Sequence, residues 1–114
     1  MSESITLCRL DAIPVNGCKG FVLDRDCQLF AVRTQDNLFL YRNICPHAGF
    51  ELNWQPDKFL DRSGQYILCA AHGATFDITS GACVAGPCAG ASLTSVPYII
   101  SDGEVRIGTL AARR

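Results

Sequence analysis

Histidine is scarce in this sequence, with only two in 114 residues. Whatever chemistry imidazole performs here is therefore performed at two positions, His47 and His72. Long apolar runs are also missing: none approaches the length of a membrane span, and residues 1–8 lack the basic start and apolar stretch of a signal peptide. These absences predict a cytoplasmic chain with no membrane partner. The ten basic residues are mixed with eleven acidic ones for a net charge of −1, so no basic stripe exists to hold nucleic acid. Arg113-Arg114 reads as a solvated tail. Neither a GxGxxG fingerprint nor a P-loop is present, which excludes the usual nucleotide sites. Repeats, low-complexity tracts and linkers are absent too. One domain spanning residues 1–114 is expected, large enough to bury a core and small enough to gain from a cofactor that staples loops together.

Cysteine, by contrast, is plentiful. Seven residues, an odd number without framework-like spacing, argue against a secreted disulfide scaffold and agree with a reducing compartment. Two of them pair with the two histidines in short loops, Cys45-Pro46-His47-Ala48-Gly49 and Cys69-Ala70-Ala71-His72-Gly73. Each loop offers one thiolate and one imidazole beside small residues that let a metal approach closely. Two such pairs suit one tetrahedral metal ion or a two-iron cluster divided between them, so on spacing alone zinc and iron-sulfur both stand. Cys8, Cys18 and Cys27 fall in or beside strands and read as packed residues. Cys83 and Cys88 flank Val84-Ala85-Gly86-Pro87 and could form a tuning disulfide, although two packed thiols are the expectation for a reducing compartment.

The run His72-Gly73-Ala74-Thr75-Phe76-Asp77-Ile78-Thr79-Ser80-Gly81, followed by Gly86-Pro87, resembles the second cluster loop of Rieske [2Fe-2S] proteins. The resemblance extends to the strand after that loop and the proline loop covering the cluster. It implies that Cys45 and Cys69 bind one iron and His47 and His72 the other. It also implies an all-β fold, an antiparallel β-sandwich base with an inserted cluster-binding subdomain at about 43–88. In the family the histidine edges face solvent, which would make His47 and His72 the port where a partner docks.

Taken in order, the chain reads as successive strands. Residues 5–10 and 19–23 flank a turn around Pro14, Asn16 and Gly17. After a turn at Asp24-Arg25-Asp26, residues 28–33 and 38–42 pair across Gln35-Asp36-Asn37 and deliver Ile44 to the first loop. Residues 50–62 are the least legible, with Trp54 and Phe59 as anchors and Pro56 and Asp57 as helix-start residues. This segment is a few residues longer than in typical small ferredoxins of the resembled family, and could carry partner specificity. Ser63-Gly64 launches a strand over 65–68 that ends on Cys69. Residues 75–78 lead into a hairpin at Thr79-Ser80-Gly81, and residues 96–100 and 104–107 pair across Asp102-Gly103. Asp24, Asp26, Asp57 and Asp61 read as turn and surface groups.

The resemblance also limits function. Larger Rieske oxygenases require a mononuclear iron held by two further histidines and a carboxylate, and here both histidines are already used. The expected role is that of a small Rieske ferredoxin, a monomer that moves single electrons from a reductase to an oxygenase or other acceptor without a substrate site of its own. Two alternatives stay open: an accessory subunit of a larger reductase, such as the small subunit of a nitrite reductase, and a zinc or redox-sensing module in which Cys83 and Cys88 operate. High-potential relatives carry a loop-bridging disulfide at positions matching Phe50 and Ala71, and hydroxyl donors to sulfur at positions matching Ala74 and Phe76. None is present here, which predicts a potential toward the low end of the family's span of about −150 to +300 mV.

Overall fold

The computed structural model describes residues 4–24, 27–46, 51–53, 55, 57–70, 73–86 and 90–108. Among them lie β1 (Ser4–Arg9), β2 (Gly17–Asp24), β3 (Cys27–Arg33), β4 (Leu38–Arg42), β5 (Tyr66–Leu68), β6 (Thr75–Asp77), β7 (Cys83–Ala85), β8 (Ile99–Ser101) and β9 (Glu104–Gly108). Every pairing between these strands is antiparallel, and they form three sheets, ordered β1-β9-β8, β2-β3-β4 and β5-β6-β7. The all-β architecture expected from the sequence is present. No helix among the described residues is long and apolar enough to cross a membrane.

The β2-β3-β4 sheet is the middle layer because successive strand residues point to opposite faces. Leu29 and Ala31 of β3, with Leu38 and Leu40 of β4, pack against Val105 and Ile107 of β9. Phe30 and Val32, with Tyr41, face the other way onto Leu52, Phe59, Ile67 and Phe76. A strand buried on both faces needs an unbroken apolar run, and Leu29-Phe30-Ala31-Val32 provides one. The third sheet, the chain between β4 and β5, and Leu93 cover the second face of that layer.

The hairpins follow their turn chemistry. Thr34 accepts from Asn37 N through its hydroxyl and donates its own N–H to Asn37 O, closing the β3–β4 connection. Asp102, with φ of 54°, adopts the left-handed conformation that the two-residue turn before β9 requires. Two expectations are corrected. The strand expected from residue 96 begins at Ile99, since Pro97 has no N–H for a ladder and Val96 N donates instead to Leu40 O of β4. Asp57 does not start a helix: its φ of 62° is left-handed, its carboxylate accepts from Gly20 N of β2 at 2.7 Å, and its carbonyl accepts from the Cys18 thiol. Its neighbour Phe59 is the anchor expected, fully buried and stacked on Phe30 with ring centroids 4.5 Å apart. Trp54, Pro56, Arg25, Asp26 and Arg113-Arg114 lie outside the described residues. Asp61 is a turn residue as expected, accepting from Ser63 Oγ, which holds its carboxyl below the usual range, and from Gly64 N.

Candidate metal centre

β4 ends at Arg42 and feeds the first candidate ligand loop through Asn43 and Ile44. Cys45 is fully buried while Ile44 and Pro46 on either side are exposed, so the chain turns its one soft donor in this stretch inward. β5 ends one residue before Cys69, which is also fully buried. The second loop is closed at its base by Cys69 N donating to Ala74 O at 2.8 Å and by Gly73 N donating to Cys69 O at 3.0 Å. The second loop is tied to the segment that follows the first, Ala70 N donating to Leu52 O at 2.8 Å.

Cys45 and Cys69 thus come from chain segments far apart in sequence and enter one apolar cluster with Leu52, Ala74 and Phe76. Neither is in a disulfide. Two buried thiols on adjoining loops form a donor set suited to a soft metal centre, and iron-sulfur clusters are held in this way. The chemistry of the donors present fits the cluster expected from the sequence. His47 and His72 lie outside the described residues, and among those described no group of three or more His, Cys, Asp or Glu side chains converges on a metal position.

A third segment packs beside the end of the second loop. Gly86, just after β7, has φ of 98°, and a Cβ built there would lie 2.8 Å from the Ala74 Cα. Gly86, in the segment expected to form the covering loop, thus packs against Ala74, the residue after the second ligand loop; Pro87 and Cys88 lie outside the described residues. The hairpin leading into it is fixed by Asp77, whose carboxylate accepts from both Ser80 N and Ser80 Oγ. Tyr41 of the middle sheet donates its hydroxyl to Ile78 O at 2.6 Å. Burial, with a smaller effect of the Asp77 charge, pushes the Tyr41 phenol up to about 12.

The expectation of packed thiols is corrected for Cys83, which is disulfide-bonded. The reducing compartment expected from the sequence favours packed thiols, whereas bonding depends on which sulfurs the fold brings together. Cys8, Cys18 and Cys27 sit in strands outside disulfides, Cys27 in the core and the other two half-buried, as expected. The sequence pattern missed Asn43. Nothing in its spacing marks it, yet it is only 4% exposed.

The chain matches the family model described as the Rieske [2Fe-2S] domain over residues 4–100. Among solved structures it is similar to a ferredoxin of Sphingomonas yanoikuyae, at 25% identity and a TM-score of 0.73 over 94% of this chain and 99% of that one. The ferredoxin of carbazole 1,9a-dioxygenase from Nocardioides aromaticivorans aligns at 23% identity and a TM-score of 0.73 over 93% of this chain and 97% of that one. A Mycobacterium tuberculosis protein assigned as the small subunit of an NADH-dependent nitrite reductase aligns at 20% identity and a TM-score of 0.66, covering 95% and 96% of the two chains. No curated protein matches the chain. With the family match running from β1 into β8 and two buried thiols brought together in one core, this chain belongs to the Rieske [2Fe-2S] family and carries the family's cluster.

Proposed function

We propose that this protein is a one-electron carrier whose cluster is held by Cys45 and Cys69 on one iron and by His47 and His72 on the other. It accepts electrons from a reductase and passes them to an oxygenase or another acceptor protein. The observation carrying the ligand set is the burial of Cys45 and Cys69, neither in a disulfide, in a single apolar cluster. Cys8, Cys18 and Cys27 are accounted for elsewhere in the strands. The bound cluster supplies a one-electron couple; the chain's own part is to hold two thiolates in a dry setting and to keep the loops around them rigid. Ala74 and Phe76, both fully buried beside the thiols, present no hydroxyl to sulfur, which supports a low potential. The oxygenase as acceptor is supported by the named role of the Nocardioides relative, a ferredoxin of a dioxygenase.

Visible absorption and low-temperature EPR of the reduced protein test the ligand reading. Wild type should show the Rieske signature, His47→Ala and Cys69→Ala should lack it, and Cys83→Ser and Cys88→Ser should retain it. Full iron and sulfide content in either of the first two variants would refute the ligand set. In solution with oxygen and small aromatic compounds the protein alone should form no product, and with a matched reductase it should cycle by one electron per chain. Turnover without a second protein would refute the carrier role.

A further inference from the structure

Asn43 is the one buried amide side chain among the described residues, and both ends of it are engaged. Its Oδ1 accepts from Leu52 N at 2.8 Å, and its Nδ2 donates to Asn53 Oδ1 at 2.9 Å. Its backbone N–H is tied to Gln28 O of β3, which anchors the residue to the middle sheet. These bonds join the point where the chain leaves β4 to the point where it re-enters the core at Leu52, with Cys45 between them. The tie continues: Leu52 O accepts from Ala70 N, the residue after Cys69. A continuous path of hydrogen bonds therefore runs from the strand end before one buried thiol to the loop carrying the other.

A buried amide costs free energy unless its groups are paired, and an apolar residue of the same size would fill this space without that demand. What an apolar residue cannot do is hold Leu52 N at a set distance and angle. We propose that Asn43 is a positioning residue for the [2Fe-2S] cluster, the strut that keeps the Cys45 loop in register with the Cys69 loop. It acts through Leu52, and among the described residues its side chain bonds to Leu52 and Asn53, neither of them a ligand. This rests on the reading of Cys45 and Cys69 as ligands.

The test uses the full chain loaded with cluster and three variants. Asn43→Leu removes both bonds, Asn43→Asp keeps an oxygen for Leu52 N, and Ile13→Ala weakens the opposite core, between the first and middle sheets, as a stability control. Asn43→Leu should keep the β-sheet circular dichroism, shift the EPR g values of the reduced cluster, and lose iron to a chelator about tenfold faster, in line with the effect of outer-sphere partners on metal affinity. Asn43→Asp should restore the wild-type g values and most of the retention. Ile13→Ala should lower the melting temperature and leave the g values unchanged. Wild-type spectra and retention in Asn43→Leu would overturn this role while leaving the ligand reading intact. Equal g-value shifts in Ile13→Ala and Asn43→Leu, or failure of Asn43→Asp to restore them, would overturn it in favour of general destabilisation. Absence of a Rieske signal from wild type would overturn both.

Discussion

Ala74 and Phe76 occupy the two positions at which high-potential relatives place hydroxyl donors, and in this structure both side chains are fully buried among apolar neighbours. A hydrogen bond to a cluster sulfur favours the reduced, more negative state, and one worth about 1 kcal/mol corresponds to roughly 40 mV for a single electron. Phe76→Tyr should therefore raise the midpoint potential by tens of millivolts, as a spectroelectrochemical titration would show. An unchanged potential would mean that the added hydroxyl finds no sulfur. Gly86 and Gly73 make a second contrast between single residues. Both have left-handed φ values, but a Cβ on Gly73 meets none of the described residues within 4 Å whereas one on Gly86 meets backbone of Ala74. Gly73→Ala should cost roughly 1–2 kcal/mol, the left-handed penalty alone. Gly86→Ala should cost roughly 2–4 kcal/mol, because overlap with a backbone atom is added. Thermal unfolding of the two variants distinguishes them, and equal costs would show that the covering segment can move off the second loop.

Among the elements, the segment between the two ligand loops is organised by its contacts with β2 and β3. Asp57 caps Gly20 N from a left-handed backbone conformation, and Phe59 lies on Phe30, its ring edge tight against Gly20. A larger residue at Gly20 would meet the Phe59 ring, since a Cβ placed on that glycine would lie 3.0 and 3.1 Å from two ring carbons. Phe59→Ala should destabilise the protein by roughly 3–5 kcal/mol, the usual range for removing a buried ring. Phe59→Leu keeps most of the buried area and should lose mainly the stacking contribution of about 1 kcal/mol. Denaturant unfolding with the cluster's absorbance as a second probe would follow both. Because Leu68 N donates to Phe59 O, loosening this segment also loosens the strand leading to Cys69, so cluster loss should accompany unfolding in Phe59→Ala.

For the protein taken entire, the raised thiols and phenols predict a loss of stability at alkaline pH. Burial raises the Cys8 and Cys18 thiols above 9.0 and the Tyr98 phenol above 10.0, and takes Tyr41 from 10.0 to about 12. In each case the folded state holds its proton more tightly than the unfolded state does. Their contribution to stability is complete below the unfolded values and is lost as pH rises through the folded ones. Unfolding free energy should therefore fall from about pH 9 upward and keep falling to about pH 12. Tyr41→Phe should flatten the upper part of that decline while lowering stability at neutral pH, because the bond to Ile78 O is lost. An unchanged alkaline slope in Tyr41→Phe would show that this phenol does not control it.

The all-β character, most strand positions and the two cysteine loops are legible from residue order alone, because they depend on local properties: side-chain alternation, turn residues and the chemistry of thiols at loop ends. Leu29-Phe30-Ala31-Val32 reads in sequence as part of a paired strand, and its burial on both faces is a property of the fold. What covers it emerges only in three dimensions, with β9 on one side and the third sheet, Leu52 and Phe59 on the other. The fold likewise makes Asp57 a cap on β2, bonds Cys83 in a disulfide, and sets Asn43 between the loops. Asp57 meets Gly20 across 37 residues of chain and Asn43 meets Leu52 beyond the first ligand loop, and spacing carries no record of which groups meet. A buried asparagine and an exposed one are the same letter; the partners at Leu52 and Asn53 make this one a strut.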